Sequence, residues 1–340
     1  MKAVVIRAFG PPEVMRIEEV ADPQPGPEDV VIAVHAVSVN RTLDMSVRAG
    51  VYPRPVALPH VLGADPAGVI VAVGEAVTDR KVGQHVATYP MVKPPTADTP
   101  PRMLGVQHWG GYAERVVVPA RITHLIPEGL DFVQACVVAR HAPLAFTLLR
   151  EKAKLKEGEW ILVMGAGGGL GNAGLQVARI HGAKVIAAAG ADARVKAALD
   201  LGADYGINYR TEDLTKRVMD LTGGKGVDVV FENIGDPEIF PAAFAALGRF
   251  GRLVTAGSHG GQSVPLDVQR LYLNQITIMG STMQHQADTD RALAEAAAGK
   301  LRIAVDRVLP LERAVEAHHL VQDRVVSGKV VLSPVMDAAA

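Results

Sequence analysis

Between Trp160 and His181 the chain reads WILVMGAGGGLGNAGLQVARIH. An apolar run, Ile161-Leu162-Val163-Met164, breaks into a glycine-rich turn and then into the amphipathic stretch Leu175-Gln176-Val177-Ala178-Arg179-Ile180. Strand, tight turn and helix in that order open a βαβ unit, and the next strand pattern, Ala183-Lys184-Val185-Ile186-Ala187-Ala188-Ala189, follows at once. Glycines let the backbone approach a pyrophosphate, and the free N–H groups at a helix start bind its charge. The segment therefore implies a bound dinucleotide.

A chain of 340 residues is too long for one ordinary core, so two domains are expected. Hydrophobic residues at 49% and charged residues at 21% describe a globular protein. The net charge of −1 is spread over interspersed acids and bases, with no basic stripe. That composition argues against nucleic-acid and membrane-surface partners and leaves a small-molecule substrate. Cys136 is the single cysteine, which excludes an internal disulfide or a multi-cysteine metal cluster and suits a reducing cytoplasm. The opening MKAVVIRAFG enters a strand pattern directly, and no apolar run is expected to reach the length of a membrane span.

The first 125 residues or so are β-rich, with short β-branched runs at 4–6, 30–34, 68–73 and 115–118 separated by Pro and Gly. The proline-rich stretch 90–111 lacks periodicity and reads as a long surface loop. From about Asp131 helices and strands alternate. Helices are predicted at 132–149, 171–181, 192–201, 213–221 and 237–247, and strands at 161–164, 184–188, 206–209, 227–231, 251–256 and 277–280. Six strands alternating with helices predict an α/β, doubly wound parallel sheet. A helix at 289–298 and a strand ending at Leu332 then return the chain to the first domain, so the cofactor domain is inserted.

Other fragments share an order that resembles the medium-chain dehydrogenase/reductase superfamily over essentially the whole chain. They are Arg48-Ala49-Gly50-Val51-Tyr52-Pro53, the segment from Leu58 to Gly68, Val82-Gly83-Gln84-His85-Val86, Gly110-Gly111-Tyr112-Ala113-Glu114, Ile207-Asn208-Tyr209 and Gly328-Lys329-Val330-Val331. In the superfamily's register the glycine loop is Ala166-x-Gly168-x-x-Gly171. That alanine-first form is similar to the zinc-independent quinone oxidoreductase and enoyl reductase branch. The resemblance implies a discontinuous GroES-like catalytic domain at 1–126 and 284–340, with a Rossmann domain at 127–283.

Zinc enzymes of that superfamily hold their catalytic metal through a Cys, the His of a Gly-His-Glu motif and a third Cys or acidic ligand. Here those regions carry Asn40-Arg41-Thr42, Gly63-Ala64-Asp65 and Arg140. The stretch 90–111 has no cysteine for a structural zinc. A catalytic zinc needs at least three protein ligands, so no metal is expected. His60 then reads as a structural residue beside a turn, and His108 as a solvated loop residue.

Zinc polarises a carbonyl and stabilises an alkoxide. Without it, hydride addition to a C=C conjugated with a carbonyl, or to a quinone, is the less demanding reaction, because the developing charge is delocalised. The resemblance places Tyr52 in the substrate cleft as a donor to an enolate oxygen, with packing beside Pro53 and Pro55 as the alternative. It suggests Asn40 as a polar cleft residue and His141, next to Arg140, as a group near the cofactor. Asp44 carries one residue more than the branch's usual spacing from Asn40 and reads as a helix-start acid.

For the cofactor, the resemblance implies contacts at Ala166, Gly168, Gly169, Leu170, Gly171, Gly190, Arg194, Tyr209, Asn233 and Gly257. NAD-specific sites end the second strand with an acid that binds the ribose. That position falls on Ala189, and Arg194 and Tyr209 match residues flanking a 2′-phosphate, so NADP(H) is favoured over NAD(H). Asp192 either caps the following helix or reaches a ribose hydroxyl. Two other functions stay open: a zinc-free alcohol dehydrogenase or carbonyl reductase, and a non-catalytic NADPH-binding protein. The apolar edge strand 277–280 predicts a homodimer or homotetramer.

Overall fold

The computed structural model describes residues 1–326 and 328–336. The chain divides into two compact units, Met1–Arg140 with Thr289–Ala297 and Arg302–Ala340, and His141–Asp288 with Ala298–Leu301. The division falls inside the helix Phe132–Phe146.

The second unit is built on a six-stranded sheet. Its order is Tyr205–Asn208, Lys184–Ala189, Trp160–Met164, Val227–Glu232, Leu247–Thr255 and Thr277–Gly280, and every pair is parallel. Parallel strands covered on both faces need continuous apolar runs, and Ile161, Leu162, Val163 and Met164 are all fully buried. The helices Gly169–Ile180, Asp192–Asp200, Leu214–Leu221 and Phe240–Ala245 alternate with the strands as the sequence predicts. Two glycines draw the first helix onto the sheet. A Cβ on Gly171 would lie 2.2 Å from the Gly165 carbonyl oxygen, and one on Gly174 would lie 2.8 Å from the Phe231 ring.

The predicted helix 132–149 is α-helical over Phe132–Phe146 despite Pro143, then widens into a π-helical stretch, Thr147–Lys152. Together they form a run of 21 residues that is long and apolar enough to cross a membrane by length and composition. The sequence reading of no such run is corrected there. Yet 67% of its apolar window is buried inside the fold, as in a core helix.

In the first unit a sheet runs in the order Thr123–Leu125, His85–Thr88, Ala67–Val73, Asp29–Ser38, Lys329–Ser333 and Val305–Pro310, and Arg115–Pro119 also pairs with Asp29–Ser38. The C-terminal strand joins through Val331 opposite Ser38 and Leu332 opposite Val37, so the chain does return to its first domain. A three-stranded sheet, Met15–Glu19, Lys2–Ile6 and His60–Val61, lies in the same unit.

The stretch 90–111 is more than a surface loop. It pairs Met91–Lys93 with Arg102–Met103, and Leu104 and Val106 are fully buried. Its glycines give the reason: a Cβ on Gly110 would lie 2.2 Å from the Gly63 carbonyl oxygen, so backbone packs on backbone. Such contacts leave no periodic signature in the sequence.

Candidate functional site

The second unit gathers the predicted cofactor residues at the carboxyl ends of its central strands, where the strand order reverses on either side of Trp160–Met164. That crevice is where open α/β sheets bind dinucleotides. After Met164 the chain turns through Gly165 at φ +65°, and the Ala166 N–H donates to the Ala188 carbonyl at 3.1 Å. Gly168 then caps the helix without any side-chain bond to the helix N–H groups. A Cβ added to Gly168 would meet no atom nearer than 3.4 Å, so the space over the loop is open. Leu170 is half-buried in the first turn.

Three pairs converge around this loop. The aliphatic stem of Arg194 packs against Gly167, within 3.0 Å of a built Cβ. The Tyr209 hydroxyl lies 2.9 Å from the corresponding position on Gly190. The imidazole of His141 fills the space over Gly169, with Nε2 2.7 Å from a Cβ built there, which places His141 beside the helix start. Asn233 follows the strand Val227–Glu232, and a Cβ built on Gly257 would lie 2.6 Å from its carbonyl oxygen. The Asn233 Nδ2 donates to the Met164 carbonyl at 2.6 Å, while its buried Oδ1 has no partner among the described residues. A buried acceptor left without a donor costs about 1–3 kcal/mol. Together, the open glycine cradle, the uncapped helix start and this orphaned acceptor fit a dinucleotide.

Asp192 is not the helix cap. Ala191 takes that place, and Asp192 Oδ1 accepts from Asn208 Nδ2 at 2.6 Å. Glu232, one residue before Asn233, has its carboxyl pushed above the ordinary value by burial, although the Ile234 and Gly235 N–H groups hold it at 2.8 and 3.1 Å.

In the first unit Asn40, from the region of the first zinc ligand, and Asp65, next to Ala64, belong to an internal polar cluster. Asp65 accepts from the Ser38 N–H at 2.9 Å, the Ser38 hydroxyl at 2.5 Å and Asn40 Nδ2 at 3.0 Å. Asn40 also donates to the Ser38 carbonyl at 3.3 Å and accepts from Lys329 Nζ at 2.9 Å. Its amide is therefore committed on both sides, bridging the buried Asp65 carboxylate and the half-buried Lys329 ammonium. Sequence reasoning missed Lys329. The signal was a lysine opening the apolar run Val330-Val331-Leu332.

Asp44 extends the cluster. It is fully buried in the helix Leu43–Arg48, and its Oδ2 accepts from the Asn40 N–H at 2.8 Å and the Tyr112 hydroxyl at 3.1 Å. Its Oδ1 has no partner among the described residues. Burial, then the neighbouring Asp65 charge, pushes the Asp44 carboxyl up to about 7. Tyr112 Oη also lies 3.2 Å from His318 Nε2, and His318 Nδ1 lies 3.1 Å from Arg48 Nη1. Burial, reinforced by the Arg48 charge, holds His318 down to about 3. A neutral His318 thus accepts from Arg48 at Nδ1 and donates from Nε2 to Tyr112, which in turn donates to Asp44.

Zinc does not fit these side chains. Residue 40 is an amide already bonded on both sides, and residue 64 is Ala64. Among the described residues no group of three or more His, Cys, Asp or Glu side chains is placed to hold a metal ion. His60 is buried beside Ile6 in a strand pair, and His108 is half-buried, its Nε2 2.8 Å from the Val117 carbonyl. Tyr52 is half-buried, and its hydroxyl donates to Met103 Sδ at 3.8 Å.

Residues 26–128 match the family described as alcohol dehydrogenase GroES-like domain, and residues 169–298 match the family described as zinc-binding dehydrogenase. The quinone oxidoreductase of Homo sapiens is 31% identical over 338 residues, covering 98% of this chain and 97% of the relative. A solved NAD-dependent alcohol dehydrogenase superposes with a TM-score of 0.90 at 36% identity, covering 98% of this chain and 99% of that one. The Escherichia coli quinone oxidoreductase, solved with NADPH, superposes with a TM-score of 0.82 at 26% identity, covering 98% and 100%.

Proposed function

The chain belongs to the medium-chain dehydrogenase/reductase superfamily, in its quinone oxidoreductase-like branch, and from that premise we propose that it is a zinc-independent reductase using NADPH to reduce a quinone or an alkene conjugated to a carbonyl. The observation that carries the reading is the cluster of Asn40, Asp65 and Lys329, in which Asn40 is bonded to both of the others beside Ala64, the residue at the motif histidine's position. A carbonyl reduced to an alkoxide lacks its usual electrophile beside such a cluster, whereas a quinone or enone spreads the charge itself.

When bound, a nicotinamide cofactor would supply a hydride to the β-carbon of an enone or to a carbonyl oxygen of a quinone. The chain's own part is to bind, orient and supply a proton. The loop Gly165–Gly171 and the start of the helix Gly169–Ile180 receive the pyrophosphate. Asn233 Oδ1 offers its acceptor to a donor on the cofactor. Arg194, which makes no ion pair among the described residues, and Tyr209 offer a charge and a hydroxyl to a 2′-phosphate, while Asp192 is occupied by Asn208. This supports NADPH over NADH, since guanidinium and phosphate pair in bidentate fashion. Tyr52 holds a proton at Oη. As the conjugated electrons move onto the substrate's remote oxygen, that oxygen takes the Tyr52 proton to give an enol or a hydroquinone, and water restores the proton to Tyr52.

The test is steady-state oxidation of NADPH and NADH with a panel of quinones, enones and acyl-CoA thioesters in the presence of a chelator. Turnover of quinones or enones with NADPH preferred is the expected result. The likeness to an NAD-dependent alcohol dehydrogenase favours a second reading, a metal-free alcohol dehydrogenase. Oxidation of secondary alcohols that outruns enone and quinone reduction would establish that reading and overturn the first. Tight NADPH binding with no turnover would make the chain a cofactor-binding protein only.

A further inference from the structure

We propose that Met103 is a positioning residue for Tyr52, holding the phenol hydroxyl by a weak bond that a substrate oxygen displaces. The inference rests on the role given to Tyr52 above. The Tyr52 hydroxyl donates to Met103 Sδ at 3.8 Å. A thioether is a weak acceptor, so the O–H direction is set without the proton being strongly held. A carboxylate or carbonyl in the same place would compete with the substrate for that proton, because hydrogen bonds to such oxygens are stronger.

The backbone of Met103 is fixed far more firmly than its side chain requires. Its carbonyl accepts from the N–H groups of Gln107 at 3.0 Å, His108 at 3.1 Å and Val106 at 3.2 Å. Its N–H donates to Gln107 Oε1 at 3.2 Å, and Met103 faces Met91 across the strand pair. The same turn is pinned to the segment bearing Tyr52. Gln107 Nε2 donates to the Pro55 carbonyl at 3.4 Å, and Trp109 Nε1 to the Pro59 carbonyl at 3.1 Å. These two side-chain bonds and the Tyr52–Met103 contact join residues 52–59 to residues 103–109, so the sulfur keeps its place relative to the phenol. On binding, the O–H···S bond breaks and an O–H···O bond to the quinone or enone oxygen forms.

The experiment measures kcat and KM for the best acceptor from the panel in a double-mutant cycle, with Met103→Gln and Met103→Leu each made in the natural and the Tyr52→Phe backgrounds. Met103→Gln, a stronger acceptor, is expected to lower kcat by roughly tenfold in the natural background, the equivalent of one ordinary hydrogen bond. Met103→Leu, close in volume, is expected to lower kcat by roughly two- to threefold. Neither is expected to lower it further in Tyr52→Phe, and NADPH affinity by fluorescence titration is expected to be unchanged throughout. Equal losses in both backgrounds, or no loss in either, would overturn the role of Met103. A Tyr52→Phe enzyme with full turnover would instead remove the reading of Tyr52 itself.

Discussion

The ammonium of Lys329 lies 2.9 Å from the side-chain oxygen of Asn40, and that bond orients a buried cluster with two carboxylates. With Oδ1 turned to the lysine, Asn40 Nδ2 faces Asp65. Burial lowers the Lys329 pKa, and the Asp65 charge opposes that shift. Lys329→Met removes the donor to the Val39 carbonyl and the Asn40 side-chain oxygen and leaves those acceptors unpaired, a loss of about 1–3 kcal/mol. Urea denaturation at neutral pH is expected to show that loss, and adding Asp44→Asn should recover part of it.

Asp44 and His318 act on stability in opposite directions with pH. The native Asp44 carboxyl titrates at about 7 rather than 3.8, so between those values the native state binds more protons than the unfolded one. Its contribution is full below 3.8 and is lost as pH rises through about 7. His318 titrates at about 3 rather than 6.5, so its contribution is full above 6.5 and is lost as pH falls through about 3. Asp44→Asn should therefore gain on the natural protein as pH rises from 4 toward 7, at up to about 1.4 kcal/mol per pH unit. Unfolding free energies at several pH values across that range would show it, and parallel curves for the two proteins would contradict it.

The glycine loop separates a yielding contact from a rigid one. In Gly169→Ala the new methyl meets the His141 ring at 2.7 Å, and a side chain can rotate away. In Gly171→Ala it meets the Gly165 carbonyl at 2.2 Å, and the backbone has no such freedom. Gly171→Ala should cost about 1–3 kcal/mol of stability. Gly169→Ala should stay within about 1 kcal/mol, with its main effect on NADPH affinity. Thermal melting and cofactor titration of both variants check the contrast.

Arg194→Ala should weaken NADPH binding by roughly ten- to a hundredfold and leave NADH nearly unchanged, the loss expected for one charge-assisted contact to phosphate. Equal losses for both cofactors would show that the Arg194 stem against Gly167 shapes the loop rather than reading the phosphate.

The sheet edge Thr277–Gly280 ends the six-stranded sheet with Ile278 39% exposed, and the helix Val268–Leu273 before it exposes Val268, Tyr272 and Leu273. A second copy of the chain pairing there would cover both an open ladder and an apolar face. A dimer by analytical ultracentrifugation, with Ile278→Lys monomeric at the same micromolar concentration, is the expected outcome. A monomeric natural protein would refute it.

The alternating sheet was legible because each parallel strand must be apolar throughout and each helix must carry one apolar face, patterns that survive in residue order. The loop Gly165–Gly171 was legible for a similar local reason. The inward turn of Asn40 was not, because its partners Asp65 and Lys329 stand far away in sequence. Nor were Tyr112, His318 and Arg48, whose chain of bonds to Asp44 joins distant segments. The helix Val268–Leu273 went unread although Asp267 caps it through the Arg270 N–H, since a helix of 6 residues gives little periodicity. The strand Leu247–Thr255 begins earlier than predicted, where Phe250 at φ +61° and Gly251 obscure the β pattern.

The strand Lys329–Ser333 has a consequence for the order in which the molecule is completed on the ribosome. Asp29–Ser38 emerges well before Lys329–Ser333, but its pairs at Val37 and Ser38 are supplied by Leu332 and Val331. Asp44 and Asp65 are likewise synthesised long before Lys329. During translation the nascent N-terminal unit therefore holds two acidic side chains with no lysine to offset them, while the inserted unit already has all six of its strands. The first unit therefore closes only once residues 329–333 have been made, and a truncation before residue 329 would lose a strand and its internal cation together.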